Sequence, residues 1–156
     1  MDVVYLADYP EFADEVARRA FAVWERLYAE VGIDLPGLIA LHRARAVKDR
    51  MPFTLIALHE GELVGAVGVK AEEASTRAGL SPWLAGLLVR EDWRGHGVGR
   101  ALVSAAERVA AGFGVATLYL SCELDNVAFY EKSGWRVRER LVSLGDEVAV
   151  MEKALG

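Results

Sequence analysis

Apolar residues recur along this chain with two periods, and the switches between them mark its elements. Val3, Val4, Tyr5 and Leu6 make a short apolar run, which reads as a strand over residues 3–6. Asp8-Tyr9-Pro10-Glu11 follows with the signs of a helix start: a capping acid, an early proline and an acid in the first turn. Phe12, Val16, Ala20, Val23 and Leu27 then recur at steps of three and four. Trp24, Tyr28 and Val31 widen that stripe, while Arg18, Arg19, Glu25 and Arg26 lie off it. The spacing predicts an amphipathic helix over residues 11–31, closed by Gly32. Its aromatic residues Phe21, Trp24 and Tyr28 are expected in the core. A second helix is predicted over residues 36–49, stopping before Met51-Pro52.

Residues 53–58 and 63–69 read as two strands joined by a hairpin turn at His59-Glu60-Gly61-Glu62. Residues 82–89 are almost wholly apolar, as in a central strand buried on both faces. Helical spacing returns over residues 97–112, with Leu102, Ala105, Ala106, Val109 and Phe113 on the inner side. The alanines let that helix lie close to a sheet. A strand over residues 115–121 follows, and Asp125 or Asn126 is placed to cap a short helix ending at Ser133-Gly134. Residues 135–143 and 147–151 form a last hairpin across Leu144-Gly145-Asp146. The order is β, α, α, three strands, α, β, α, β, β. It mixes hairpins with strand–helix–strand crossovers, so an α/β (α+β) mixed sheet with helices on its faces is expected. Residues 72–82 read as a long loop inside one domain spanning residues 1–156.

Composition narrows the function. The 156 residues are 53% hydrophobic and 26% charged, which excludes a disordered chain, a collagen and a disulfide-stapled mini-protein. The 18 Lys and Arg against 23 Asp and Glu give a net charge of −5, which weighs against a general nucleic-acid partner. A single cysteine, Cys122, can form neither an internal disulfide nor a multi-cysteine metal site, so no metal is expected and a reducing cytoplasm is favoured. The N-terminus lacks the pattern of a signal peptide, and no apolar stretch is long enough to predict a membrane span. Cys122 has no histidine placed beside it by any pattern, so it reads as a buried structural thiol. His42 and His59 read as surface residues on a helix and a turn.

The most informative segment is Arg94-Gly95-His96-Gly97-Val98-Gly99-Arg100, which follows an apolar strand and opens a helix. A helix N-terminus exposes unpaired N–H groups with partial positive charge. Glycines let phosphate oxygens approach those groups, and Arg94 and Arg100 add charge. The segment is a candidate cradle for a pyrophosphate. The dinucleotide fingerprint would need glycine at Arg100, and the G-x-x-x-x-G-K pattern of nucleotide triphosphate sites is absent. A nucleotide-dependent redox domain is thereby disfavoured. His96 occupies a variable position of the turn and is expected exposed.

Two motifs together resemble the GNAT superfamily of acetyl-CoA-dependent N-acetyltransferases. Arg94, Gly97 and Gly99 match its Q/R-x-x-G-x-G/A cofactor motif, and Leu87 and Val89 match the alternating apolar strand before it. Asn126, Tyr130, Glu131, Lys132, Gly134 and Trp135 match its later N-x-x-A-x-x-F/L-Y-E-K-x-G-F/W motif. The order of elements fits over nearly the whole chain. The resemblance implies a mostly antiparallel central sheet of about six or seven strands with about four helices, splayed between the fourth and fifth strands.

It further implies that acetyl-CoA is the cosubstrate. The N–H groups of Arg94, Gly95, His96, Gly97, Val98, Gly99 and Arg100 would hold its pyrophosphate. Leu87, Leu88 and Val89 would pair with its pantetheine arm, and Asn126 would bond that arm or a water. Tyr130 would be the general acid. Many relatives carry a basic Glu on the fourth or fifth strand, but residues 83–89 hold no acid. Glu123 is the first candidate for the base, with Asp125, Glu72 and Glu73 as alternatives. Thr76-Arg77 and Pro82-Trp83-Leu84 resemble the region before the fourth strand in the family, so the loop over residues 72–81 would line the acceptor site. The acceptor would be an amine, small or on a protein, and a homodimer is a further expectation. A non-catalytic acyl-CoA-binding sensor is the alternative reading.

Overall fold

The computed structural model describes residues 1–71 and 79–156. Its elements are β1 (Asp2–Tyr5), α1 (Ala13–Glu30), α2 (Leu35–Ala44), β2 (Phe53–His59), β3 (Glu62–Lys70), β4 (Trp83–Val89), α3 (Val98–Gly112), β5 (Thr117–Glu123), α4 (Val127–Glu131), β6 (Arg136–Ser143) and β7 (Asp146–Ala154). This is the order the apolar pattern predicts. Among the described residues the seven strands form one sheet, in the order β1-β2-β3-β4-β5-β7-β6. Every neighbouring pair is antiparallel except β4 and β5. Both hairpin turns carry positive φ at two successive residues, Glu60 with Gly61 and Leu144 with Gly145, as the favoured two-residue turns require.

The sheet separates two apolar cores. On one face α3 packs Val98, Leu102, Val103, Ala105 and Ala106 against Phe53, Leu55, Val64, Val67, Leu118 and Leu120. On the other, α1 and α2 pack Val16, Ala17, Ala20 and Leu38 against Ile56, Leu63, Ala66 and Leu88. The buried alanines of α3 bring its axis close to the strands, as their spacing predicts.

Several local expectations are corrected. Asp8 does not cap α1, which starts at Ala13 after two 3-10 turns without a side-chain cap. Asp8 instead accepts a hydrogen bond from Lys48 at 2.7 Å. The second helix ends at Ala44 rather than Asp49, and the chain beyond it brings Lys48 to Asp8 in the 3-10 turn after β1. Its N-terminus is capped by Asp34, which accepts from the Gly37 N–H at 2.9 Å. Val23 is 56% exposed, because Trp24 adopts a non-helical φ of −119° and ψ of 31°. That kink breaks the stripe, while Phe21, Trp24 and Tyr28 pack partly buried against the core, as expected. Phe113, at the end of α3, is 39% exposed. Neither Asp125 nor Asn126 caps α4 through its side chain; a 3-10 turn over Leu124–Asn126 leads into it.

The departure with most consequence is in β4. It is not buried on both faces: Ala85 and Leu87 are half-buried and Gly86 is exposed. Pairing with β3 advances from Ala66 to Gly68 while β4 moves from Leu88 to Ala85. One extra residue is therefore held in β4, and Gly86 takes a φ of +66° there, the geometry of a glycine bulge. On the other side, β4 meets β5 only at Trp83–Tyr119, with the Tyr119 N–H donating to the Pro82 carbonyl at 3.1 Å. The two strands diverge from there, which is the expected splay.

Gly65 on β3 sets the distance between sheet and α3. A Cβ there would stand 2.9 Å from both Leu102 Cδ1 and Val98 Cγ1 and 3.0 Å from the Leu88 carbonyl oxygen. Gly65→Ala overpacks a rigid junction and is expected to cost about 1–3 kcal/mol, seen as a lower urea midpoint at unchanged slope. An unchanged midpoint would refute this close approach.

Candidate active site

The turn before α3 is built to leave donors free. Arg90 grips Asp92 through two nitrogens at 2.7 and 3.0 Å and fixes the 3-10 turn Glu91–Trp93. Gly95 and Gly97 then take φ of +80° and +79°, a conformation that side chains disfavour. Gly97 stands at the N-cap and offers no side chain to the helix end. The first helical bond runs from the Ala101 N–H to the Gly97 carbonyl oxygen at 3.1 Å. The N–H groups of Val98, Gly99 and Arg100 precede it and have no intrahelical acceptor. Arg94 and Arg100 are exposed and form no ion pair among the described residues. His96 is exposed as expected, with Nδ1 at 3.1 Å from the Arg94 carbonyl oxygen and its ring 5.1 Å from that of Trp93.

Gly99 has a reason the sequence did not disclose. A Cβ on it would lie 3.2 Å from Cζ of Phe129. The glycine therefore lets α4 rest on the first turn of α3, in addition to any ligand it admits.

Beside this turn, the β5-facing edge of β4 from Leu84 to Val89 pairs with no strand among the described residues. This free edge leads toward the turn that opens α3. An unpaired edge accepts an extended chain as a further strand.

Tyr130 is buried on α4, with its ring edge-on to Phe129 at 5.0 Å and to Trp135 at 6.1 Å. Burial, with a smaller push from the Cys122 thiol, raises its phenol well above the ordinary value, so the hydroxyl stays protonated across the working range. Three elements clamp this region. Lys153 on β7 donates to Glu107 on α3 at 2.6 Å and to the Ser133 carbonyl at 2.7 Å. Trp135 Nε1 donates to the second Glu107 oxygen at 3.1 Å. α4 is thereby held to the helix whose N-terminus forms the cradle.

Glu123 lies exposed at the end of β5, and Asp125 and Asn126 are exposed in the turn that follows. Glu72, Glu73, Thr76 and Arg77 lie outside the described residues. His42, read from the sequence as a surface residue, is instead 8% exposed. It lines a small cleft of about 60 Å³ on the α1–α2 face, with Tyr28, Arg45, Thr54, Lys70, Ala85 and Gly86 among the lining residues. This cleft therefore reaches the β4 bulge. The signal available was the four-residue step from Leu38, which puts His42 on the buried side of α2.

The sequence matches the family described as acetyltransferase (GNAT) family over residues 11–135. No protein with a curated description matches it. Among solved structures it is similar to an aminoglycoside 6'-N-acetyltransferase complexed with coenzyme A, at 20% identity and a TM-score of 0.77, covering 100% of this chain and 98% of that one. A Lactobacillus plantarum protein assigned as an N-acetyltransferase has 26% identity and a TM-score of 0.69, with 99% and 98% covered. A Salmonella typhimurium protein with its cofactor acetyl-CoA has 19% identity and a TM-score of 0.64, with 80% and 75% covered.

Burial, and then the Glu123 charge, push the half-buried Cys122 thiol up to about 11. Its reaction with iodoacetamide at pH 8 is expected to be roughly a hundredfold slower than that of free cysteine, since only the thiolate attacks. Alkylation at the free-cysteine rate would contradict this placement.

Proposed function

The chain belongs to the acetyltransferase (GNAT) family, and we propose that it moves an acetyl group from acetyl-CoA to a primary amine. The observation that carries this reading is the continuity of the unpaired β4 edge with the uncapped N-terminus of α3. One site offers strand-like hydrogen bonding for an amide-containing arm and the other offers N–H donors for a diphosphate. These two features fit acetyl-CoA, which has an extended amide-containing arm and a charged diphosphate end.

Acetyl-CoA supplies an activated acyl group. The N–H groups from Arg94 to Arg100 hold its diphosphate, with Arg94 and Arg100 adding charge. Leu87, Leu88 and Val89 align the pantetheine arm through their backbone, and exposed Asn126 bonds it from the far wall. Near the Gly86 bulge a backbone N–H of Leu87 or Leu88 meets the thioester oxygen as charge develops on it. Tyr130 gives the departing sulfur a hydrogen bond and then a proton. Its raised pKa guarantees the proton is present. It also makes full transfer to a thiolate uphill by 1.36 kcal/mol per unit of difference, so the hydrogen bond is the larger part of its contribution. Glu123 stands outside the α1–α2 cleft and is exposed, so a proton reaching it from an amine would travel through water.

The reading is tested by mixing the protein with acetyl-CoA and a panel of amines (a lysine-containing peptide, spermidine, kanamycin) and following free thiol. Amine-dependent release is expected. Tight coenzyme A binding without release from any amine would favour a sensor domain, and absence of binding would end the reading. Tyr130→Phe is expected to lower kcat roughly 10²–10⁴-fold with little change in the KM for acetyl-CoA. A variant with wild-type kcat removes Tyr130 from the chemistry.

A further inference from the structure

We propose that His42 is the general base that takes the proton from the acceptor nitrogen. The assignment rests on the acetyl-transfer reading above and names the group that reading leaves open. His42 is buried on α2 and lines the cleft that reaches Ala85 and Gly86, the bulge beside which the thioester would lie. Its Nδ1 is 3.1 Å from the Leu38 carbonyl oxygen. A carbonyl only accepts, so Nδ1 carries the proton and the lone pair is on Nε2. The ring is thus held in one tautomer by its own helix, with the basic nitrogen left for an incoming group. No carboxylate lines the cleft among the described residues, and β4 carries none.

The charged and titratable groups facing His42 from the surrounding elements are Tyr28 on α1, Arg45 after α2 and Lys70 on β3, with the Thr54 hydroxyl on β2. Burial first, then the Arg45 and Lys70 charges, hold the imidazole below its ordinary value, against the opposing pull of the Leu38 carbonyl. The ring is therefore neutral, and able to accept, at pH 7.

The step balances. The amine nitrogen forms a bond to the acetyl carbon, and the carbon–sulfur bond breaks. The nitrogen loses one proton to His42 Nε2, and the sulfur gains one from Tyr130. Imidazolium and phenolate then return to neutral by exchange with water, so the net products are the amide and the free thiol.

The test compares wild type, His42→Gln and Glu123→Gln in the thiol-release assay, with saturating acetyl-CoA and whichever panel amine turns over fastest, from pH 5 to 9. Wild-type kcat should fall on the acid side with a midpoint below about 6.5, the ordinary value for histidine. His42→Gln should lose that limb and about 10²-fold or more in kcat at pH 7.5, with the KM for acetyl-CoA and the thermal midpoint near wild type. His42→Asn, of different length, guards against a folding defect in the first variant. A His42→Gln profile parallel to wild type, or loss of the limb in Glu123→Gln instead, overturns the assignment alone. A wild type that binds acetyl-CoA and releases no thiol with any amine ends the transfer reading, and His42 with it.

Discussion

The broken pairing between β4 and β5 is the constraint on which the site depends. A sheet normally satisfies every backbone donor and acceptor along a central strand. Here one extra residue at Gly86 twists β4 away from its parallel neighbour, and contact survives only at Trp83–Tyr119. The groups left without partners are tolerated because the slot is open rather than sealed, as the half-exposure of Ala85 and Leu87 and the exposure of Gly86 record. The same bulge also borders the cleft on the α1–α2 face. A single backbone irregularity thus joins the slot on the strand edge to the opening that faces His42.

Such an opening would weaken the fold if its two sides were not separately anchored. On the β4 side, Gly65 lets Val98 and Leu102 sit against the strands, so the first residue of α3 is buried. On the β5 side, Glu107, Lys153, Ser133 and Trp135 form a bonded cluster that ties α3, α4 and β7 together. Phe129 against Gly99 closes the junction between them. Tyr130 therefore sits on a short helix held from three directions, with its ring packed edge-on to Phe129 and Trp135.

The electrostatics follow the same division of labour. Several arginines among the described residues are already matched to acids, as in Arg43 with Asp14, Arg90 with Asp92, and Arg136 and Arg138 with Glu152. Arg94 and Arg100 stand apart from these pairs, beside uncapped N–H groups. A net charge of −5 is thus compatible with an anion site, because the attraction is local and largely made by the backbone.

Much of this was legible in the sequence. Helical and strand periods, with Gly61, Gly134 and Gly145 as punctuation, determined the order of elements, since burial of one face dictates the spacing of apolar residues. Arg94, Gly97 and Gly99 marked the turn, because only certain backbone conformations leave a helix end uncapped. Local rules failed where distant groups competed: Asp8 left its cap for Lys48, and Trp24 broke the stripe that placed Val23 inside. Tertiary structure alone decided that β4 is half open, that Gly99 makes room for Phe129, that burial keeps the Tyr130 hydroxyl protonated, and that His42 faces a cleft. Each of these is set by what another element brings alongside, and a one-dimensional pattern carries the period of a face but not the identity of what covers it.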